Sequence, residues 1–160
     1  MNPEDIYSIL GDDIKAVKDL IHNRLSSQVA LLGKVNEGLL ENSGKLVRPI
    51  LCLFMARACG RATPDTRLFA AAVEMLHNST LLHDDVADES DTRRGAPTVM
   101  SLYGPVPAVL VGDFWLSRTV DLVLDSEHSA WAIRAFAKIL TDLSEGEMLQ
   151  QERAFKCDTT

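Results

Sequence analysis

Residues 64–88 read PDTRLFAAAVEMLHNSTLLHDDVAD, and this stretch decides the fold. The triplet Thr63-Pro64-Asp65 supplies an N-cap residue, a proline for the first helical position and an acid for the positive end of the helix dipole. Apolar side chains then cover most of the circumference from Leu68 to about Asp85. A helix that is apolar nearly all round must be surrounded by other helices, so the stretch predicts the buried part of a larger helical body.

Helical periodicity continues in both directions from this stretch. Apolar residues recur three and four positions apart, and no segment alternates in the manner of a strand. The other predicted helices cover residues 6–21, 29–39, 49–58, 106–124 and about 126–155. The connections are short, which favours antiparallel packing of consecutive helices. We therefore predict an all-α protein, a single domain over residues 1–160 built of long antiparallel helices, with the polar segment 89–95 as a turn.

The composition argues against several classes of protein. The formal net charge is −7, which argues against nucleic acid as a partner because that ligand requires a basic face. No apolar run approaches the roughly 20 residues of a membrane span, and residues 1–5 lack the features of a secretory signal. Cys52, Cys59 and Cys157 have no paired or metal-like spacing, so we predict reduced thiols and a cytoplasmic protein.

A cluster of acids closes the long helix. Asp84 and Asp88 are four residues apart, so they share one face of the helix, and Asp85 lies beside them. Like charges at this spacing repel each other, and the helix dipole disfavours acids at the C-terminal end. A hard divalent cation relieves both conflicts, because magnesium binds carboxylates together with water and phosphate oxygens. These three aspartates are therefore candidate magnesium ligands.

Two other interpretations of the acids stay open at this point. A solvated acidic turn that closes a helix is the simplest of them, since short acidic pairs are common. A calcium loop is the second, although the central glycine and the alternating acids of an EF-hand are missing.

Cations flank the acids on both sides in the sequence. Arg93 and Arg94 follow within one short loop, and guanidinium groups bind phosphate oxygens through two parallel hydrogen bonds. Upstream, Lys45 and Arg48 lie in a glycine-led loop at a helix start, where free backbone N–H groups favour an anion. These two residues alone would indicate only a solvated loop. His77 lies two turns before the acids on the same face. It is either a phosphate ligand or a hydrogen-bonded core residue.

Five motifs come in an order that resembles one enzyme family. They are Gly44-Lys45-x-x-Arg48-Pro49, Glu74-Met75-Leu76-His77, Leu81-Leu82-His83-Asp84-Asp85-Val86-x-Asp88, Asp91-Thr92-Arg93-Arg94-Gly95-x-Pro97-Thr98 and Val111-Gly112-Asp113-Phe114. From about residue 40 to Gln150, the chain resembles the trans-polyprenyl diphosphate synthases, above all the bacterial octaprenyl-type and related long-chain enzymes. The resemblance implies the isoprenoid-synthase fold, a bundle of long antiparallel helices around a deep cavity, in a homodimer.

The resemblance also implies an activity and a role for each candidate residue. An allylic diphosphate ionises with the help of Mg²⁺, and isopentenyl diphosphate adds to it, so that a prenyl chain grows. Asp84, Asp85 and Asp88 would hold magnesium against the allylic diphosphate, and Arg93 would bind that same diphosphate. The diphosphate of isopentenyl diphosphate would be bound by Lys45, Arg48, His77 and Arg94. The small residues Ser79 and Thr80, five and four positions before Asp84, would favour a long product, with Met75 and Leu76 a turn deeper.

The chief departure from the family is the absence of a second Asp-rich motif, which members carry on a later helix. Asp12-Asp13 is the other acidic pair of this kind, but Ala16 stands where a final aspartate would be. The 160-residue chain therefore corresponds to the N-terminal half of such a domain, and alone it is expected to be inactive or nearly so. Two rivals remain. A terpene cyclase has no use for a second diphosphate site built from Lys45, Arg48 and His77, and a non-catalytic helical subunit would only associate.

Overall fold

The computed structural model describes residues 3–154 of the chain, with side chains from residue 9 onward. Helices make up most of this part of the protein. The elements are α1 (Pro3–Arg24), α2 (Ala30–Glu41), α3 (Val47–Ala58), α4 (Pro64–Ala87), β1 (Thr92–Arg93), β2 (Ala96–Pro97), α5 (Val99–Tyr103), α6 (Pro105–Leu124) and α7 (Ser129–Arg153). The all-α prediction is confirmed. The predicted helix end at Phe155 and the thiol of Cys157 lie outside the described residues.

The prediction of no strand, with residues 89–95 as a turn, is wrong for one short hairpin. β1 and β2 pair antiparallel with two residues in each strand. Arg94 and Gly95 at the tip have positive φ values of 54° and 81°, the geometry of the two-residue turn that suits strand twist. Strands this short carry no alternation of polar and apolar residues, so periodicity could not reveal them. Helix α5 is also absent from the prediction, although its N-cap Thr98 accepts a hydrogen bond from the backbone N–H of Ser101 at 3.0 Å.

Helix α4 lies among α1, α3 and α6 and contacts all three. Its first turn is capped by Thr63, whose hydroxyl accepts a hydrogen bond from the backbone N–H of Thr66 at 3.2 Å. Buried residues occur around much of its circumference: Leu68, Ala70, Ala71, Ala72, Glu74, Met75, Leu76, Ser79, Leu82 and Asp85. The prediction of a buried helix is confirmed. Helix α6, by contrast, leaves Val106, Leu110 and Leu124 exposed in this chain.

Gly112 brings α6 close to α4. A Cβ atom at this position would overlap the imidazole of His83, so glycine leaves the room that the histidine fills. The hydroxyl of Ser79 donates a hydrogen bond to the carbonyl oxygen of Gly112 at 2.9 Å. His83 Nε2 also lies 3.2 Å from Asp113 Oδ1. These contacts fix the rotation of α4 about its axis, and with it the direction in which the acids beyond His83 point.

A buried hydrogen-bond chain links α6 and α2 to Leu25, the residue that follows α1. The indole Nε1 of Trp115 donates to Asn36 Oδ1 at 2.9 Å, and Asn36 Nδ2 donates to the carbonyl oxygen of Leu25 at 2.8 Å. Both side chains are buried, and both polar atoms of the amide are satisfied. A buried amide with complete hydrogen bonding specifies one packing arrangement, because any shift leaves a polar atom unpaired.

Asp13 joins α1 to α3 and α4 through two ion pairs. Its carboxylate accepts from Arg57 Nη2 at 2.6 Å and from Arg67 Nε at 2.7 Å. The residue is only 3% exposed, and the hydrogen bond from Arg57 holds the pKa of this carboxyl below its ordinary value of 3.8 against the effect of burial. The second acidic pair of the sequence, Asp12-Asp13, therefore contributes its inner member to the core.

We expect Asp13→Asn to destabilise the fold by about 1–3 kcal/mol, because charged hydrogen bonds of a buried group are lost. The lowered pKa means that the contribution of Asp13 is present above its unfolded pKa and disappears as pH falls through the folded value. Urea unfolding at pH 7 and at pH 3 measures this difference, which should shrink at the lower pH. Asp12→Asn at the exposed neighbouring position is the control, and equal losses for both variants would contradict the prediction.

The last helix is exposed over its second half. Residues 141–154 are exposed at every position, and the apolar side chains of Leu143, Met148 and Leu149 are among them. None of the helices in residues 3–154 combines the length and the apolar character that a membrane span requires.

Candidate functional site

The acidic end of α4 carries two carboxylates on one exposed face. Asp84 and Asp88 are both exposed residues one turn apart, Asp88 being the C-cap. Partial burial raises the pKa of the Asp84 carboxyl, and the charge of Asp88 raises it further. Arg93 opposes the rise, while Glu147 on α7 and Asp85 add to it. The pKa rise caused by Glu147 indicates that α7 adds to the negative charge at this end of α4. Such a concentration of anionic oxygens is stabilised by a cation.

Asp85 is buried, unlike Asp84 and Asp88. It is 5% exposed, and its Oδ1 accepts a hydrogen bond from Arg93 Nε at 2.6 Å. Within the described part of the chain, no group of three carboxylate, imidazole or thiol side chains converges in the manner of a protein-only metal cage. The pair formed by Asp84 and Asp88 still fits magnesium, because that ion is commonly held by one or two carboxylates, with water and substrate phosphate completing its shell.

The hairpin directs its two arginines to different partners. Arg93 returns to α4 through Asp85, as described above. Arg94, at the tip, reaches the loop before α3, where its Nη1 donates to the carbonyl oxygen of Ser43 at 3.0 Å. The hairpin therefore ties the region after the acids to the glycine-led loop, which precedes it by about fifty residues in sequence.

Gly44 makes this contact possible. Its φ is +77°, and a Cβ atom here would lie 2.8 Å from Arg94 Nη1, closer than real Cβ contacts occur. Two residues later, Leu46 has a φ of 49° and is buried, so it anchors the loop to the core at the N-cap of α3. Lys45 stands between them and is exposed. The loop thus leaves Lys45 exposed to solvent, next in sequence to the glycine that Arg94 approaches.

His77 lies within electrostatic reach of three guanidinium groups. Burial lowers the pKa of its imidazole to about 4, and the charges of Arg48, Arg94 and Arg93 contribute in that order. At pH 7 the ring is neutral, so it can offer a hydrogen bond without adding charge. The structure thus brings together His77 and three of the four predicted cations from α3, α4 and the hairpin. Their roles toward a ligand remain predictions.

The sequence motifs assigned no role to Glu74 or Glu147. Glu74 is buried beside the arginine cluster, one turn of α4 before His77. It was part of the quoted motif, and a carboxylate on an otherwise apolar helix face is the signal that singles it out. Glu147 is on α7, sixty residues from the acids that it faces, and no local pattern indicates that proximity. Gln150, close by on α7, is exposed beside Gly146 and Arg153.

An all-α fold with a carboxylate pair at the end of its central helix, and with arginines supplied by a neighbouring helix and a hairpin, has known counterparts. The chain belongs to the polyprenyl synthetase family, whose sequence model matches residues 29–160. It is 40% identical over 158 residues to the all-trans-nonaprenyl-diphosphate synthase (geranyl-diphosphate specific) of Rhodobacter capsulatus, an alignment that covers 98% of this chain and 48% of that protein. The octaprenyl diphosphate synthase of Escherichia coli (strain K12) is 35% identical over 150 residues, covering 94% of this chain and 46% of that protein.

Solved structures show the same relationship. A decaprenyl diphosphate synthase from Rhodobacter capsulatus superposes with a TM-score of 0.91 at 38% identity, over 99% of this chain and 49% of that one. A polyprenyl synthase from Caulobacter crescentus, complexed with calcium and isoprenyl diphosphate, superposes with a TM-score of 0.88 at 33% identity, over 99% and 48%. The chain thus spans about half the length of the curated relatives it matches.

Proposed function

We propose that this chain carries the diphosphate-binding part of a prenyltransferase, which condenses isopentenyl diphosphate with an allylic diphosphate into a long-chain trans-polyprenyl diphosphate. One observation carries the proposal: a carboxylate pair closes α4, and arginines from α3 and the hairpin act on His77, two turns earlier on the same helix. His77 and Asp84 are seven residues apart on one helix face, about 10 Å along its axis. Two diphosphates bound at these stretches would lie side by side, as condensation of their prenyl groups requires.

In this proposal, Asp84 and Asp88 hold Mg²⁺ against the allylic diphosphate. Bound there, the ion would neutralise the negative charge that grows on the departing diphosphate. Arg93 would add a guanidinium group to the same diphosphate, and its ion pair with Asp85 would keep it in place. The Caulobacter crescentus relative, complexed with calcium and isoprenyl diphosphate, supports the pairing of a divalent cation with such a ligand.

Lys45, Arg48, His77 and Arg94 would bind the diphosphate of isopentenyl diphosphate. The charges of Arg48 and Arg94 both lower the pKa of His77, and Lys45 shares the loop to which Arg94 is bonded. The neutral imidazole of His77 would donate a hydrogen bond to a phosphate oxygen. A second diphosphate site favours a condensing enzyme over a terpene cyclase, which binds a single diphosphate.

A long product, a homodimer and a cytoplasmic location belong to the same proposal. Relatives named for nonaprenyl and octaprenyl products support the first. The exposed apolar side chains of Val106 and Leu110 on α6 support the second, because pairing of two copies would remove them from water. The free thiols of Cys52 and Cys59 support the third. Sedimentation velocity distinguishes a dimer from a monomer.

Isothermal titration tests the proposal on the chain itself. We expect isopentenyl diphosphate to bind without Mg²⁺, and a non-cleavable allylic diphosphate analogue to bind only when Mg²⁺ is present. Inorganic phosphate at the same concentration is the control for non-specific anion binding. Failure of both diphosphates to bind more tightly than phosphate would refute the proposal and favour a non-catalytic helical subunit.

A further inference from the structure

A second group of arginines lies near the start of α4, at the opposite end of that helix from the acids. These arginines belong to a cavity of about 370 Å³ between α1, α3 and α4, which we call the Asp13 cavity. It is lined by Asp13, Arg57, Gly60, Arg61, Ala62 and Arg67. None of these residues belongs to the candidate site. Arg67 precedes His77 by ten residues, or about 15 Å along the helix axis.

The buried carboxylate of Asp13 holds two of the three guanidinium groups in place. Arg57 donates to Asp13 Oδ2 from Nε at 3.2 Å and from Nη2 at 2.6 Å, and Arg67 donates from Nε to Oδ1 at 2.7 Å. No described residue accepts a hydrogen bond from Arg57 Nη1 or from the two Nη atoms of Arg67. The ion pairs therefore fix both arginines and leave N–H donors for a further acceptor.

Arg61 supplies the third guanidinium group, and this one is free. The residue is exposed, and within residues 9–154 its side chain forms neither a hydrogen bond nor an ion pair. The backbone N–H groups of Arg61 and of Ala62, in the loop between α3 and α4, also donate to no described residue. Side-chain and backbone donors without acceptors thus occur together in the wall of one cavity.

The Asp13 cavity has an excess of positive charge. Three guanidinium groups line it, and Asp13 is the only acid among the described residues that do so. Two positive charges are therefore uncompensated at this point of a protein whose formal net charge is −7. A phosphate group carries about −1.5 to −2 charges at pH 7, and its oxygens match the forked donors of guanidinium groups. A carboxylate would balance only one of the two charges.

We propose that the Asp13 cavity is a binding site for a phosphate group, separate from the two diphosphate sites of the proposed function. Arg57 and Arg67, fixed by Asp13, form its rigid part. Arg61 closes on the anion from the loop. The inference does not depend on the proposed function, because no residue is shared between the sites.

NMR titration of the ¹⁵N-labelled chain with inorganic phosphate tests the proposal, with chloride at equal ionic strength as the reference. We expect the backbone amide signals of Gly60 and Ala62 to shift, with a dissociation constant on the order of 1 mM. Both residues line the cavity, so phosphate bound near His77 does not produce this change.

Arg61→Gln should raise that dissociation constant at least about tenfold, because a charged hydrogen bond to the anion is lost. Arg61 has no side-chain partner among the described residues, so the variant should keep the urea midpoint of the unmodified chain. Arg134→Gln is the matched control, since it removes an exposed arginine of α7 that also lacks a described partner. Its dissociation constant should stay within about twofold of that of the unmodified chain.

Free phosphate and the phosphate of a lipid headgroup offer the same chemistry, and co-sedimentation with vesicles distinguishes them. Binding to phosphatidylglycerol vesicles that is absent with phosphatidylcholine and lost in Arg61→Gln assigns the cavity to a headgroup. Amide shifts with inorganic phosphate, without binding to vesicles, assign it to a soluble phosphate ligand.

Two results would overturn the proposal. The first is that inorganic phosphate shifts the Gly60 and Ala62 signals no more than chloride does, while Arg61→Gln leaves any vesicle binding unchanged. The second is that Arg61→Gln and Arg134→Gln bind phosphate as tightly as the unmodified chain. Neither result affects the proposed function, which is tested with diphosphates at other residues.

Discussion

Asp84→Ala is expected to weaken the Mg²⁺-dependent binding of an allylic diphosphate analogue at least about 100-fold, which corresponds to roughly 2.7 kcal/mol. The reason is that Asp84 and Asp88 form the carboxylate pair that faces outward at the end of α4, while Asp85 is engaged by Arg93. With one carboxylate left, a magnesium ion held by this pair would lose half of its protein ligands. Isothermal titration with and without Mg²⁺ measures the change.

Two comparisons sharpen this prediction. Asp91→Ala removes an exposed acid from the loop after α4 and should leave the Mg²⁺-dependent affinity unchanged. Binding of isopentenyl diphosphate should survive in Asp84→Ala, because the arginine cluster is not altered. A loss of both diphosphates in the Asp84 variant, or an equal loss in the Asp91 variant, would show that the carboxylate pair is not a separate metal site.

Trp115→Ala is expected to lower the free energy of unfolding by about 3–5 kcal/mol. The side chain is 2% exposed in the core, so its removal leaves a large cavity and an unpaired oxygen on Asn36, which now accepts the indole N–H. Trp131→Ala is the control within the same chain, because that ring is 71% exposed. Urea unfolding followed by circular dichroism compares the two.

Replacement by phenylalanine separates the two contributions of Trp115. Trp115→Phe keeps an aromatic ring and loses the hydrogen bond to Asn36, so a smaller cost of about 1–2 kcal/mol is expected. This variant also remains measurable if the alanine variant does not fold. Comparable costs for Trp115→Ala and Trp131→Ala would mean that the link between α6 and α2 does not stabilise the protein.

Local chemistry explains why much of the fold was predictable. Thr63 and Pro64 mark a helix start in any context, because capping and a fixed φ act within one turn. The apolar circumference of α4 predicted its burial, because a helix that is apolar on most sides gains stability when other helices cover it. The hairpin and α5 escaped prediction because two-residue strands and a five-residue helix are too short for a period to emerge. Their formation depends on positive φ at Arg94 and on the cap at Thr98.

The acids that open the family motif illustrate the division between sequence and tertiary structure. Their spacing determined that Asp84 and Asp88 share a face, because the helical repeat is set by backbone geometry. The hairpin brings Arg93 into an ion pair with Asp85, because its positive φ values turn that arginine back toward α4. The sequence grouped Asp85 with the metal ligands, and its place among them remains a prediction.

The helical fold, the family and the residue types of the candidate site were all predictable from the sequence alone. Each of these depends on neighbours within one or two turns, or on motifs that stay contiguous in the chain. Helix packing alone brings Arg48, Arg93 and Arg94 within electrostatic reach of His77, buries Glu74 on the same helix, and leaves space for Arg94 at Gly44. These contacts join residues far apart in the chain, and their electrostatic and steric energies exist only once the helices have packed.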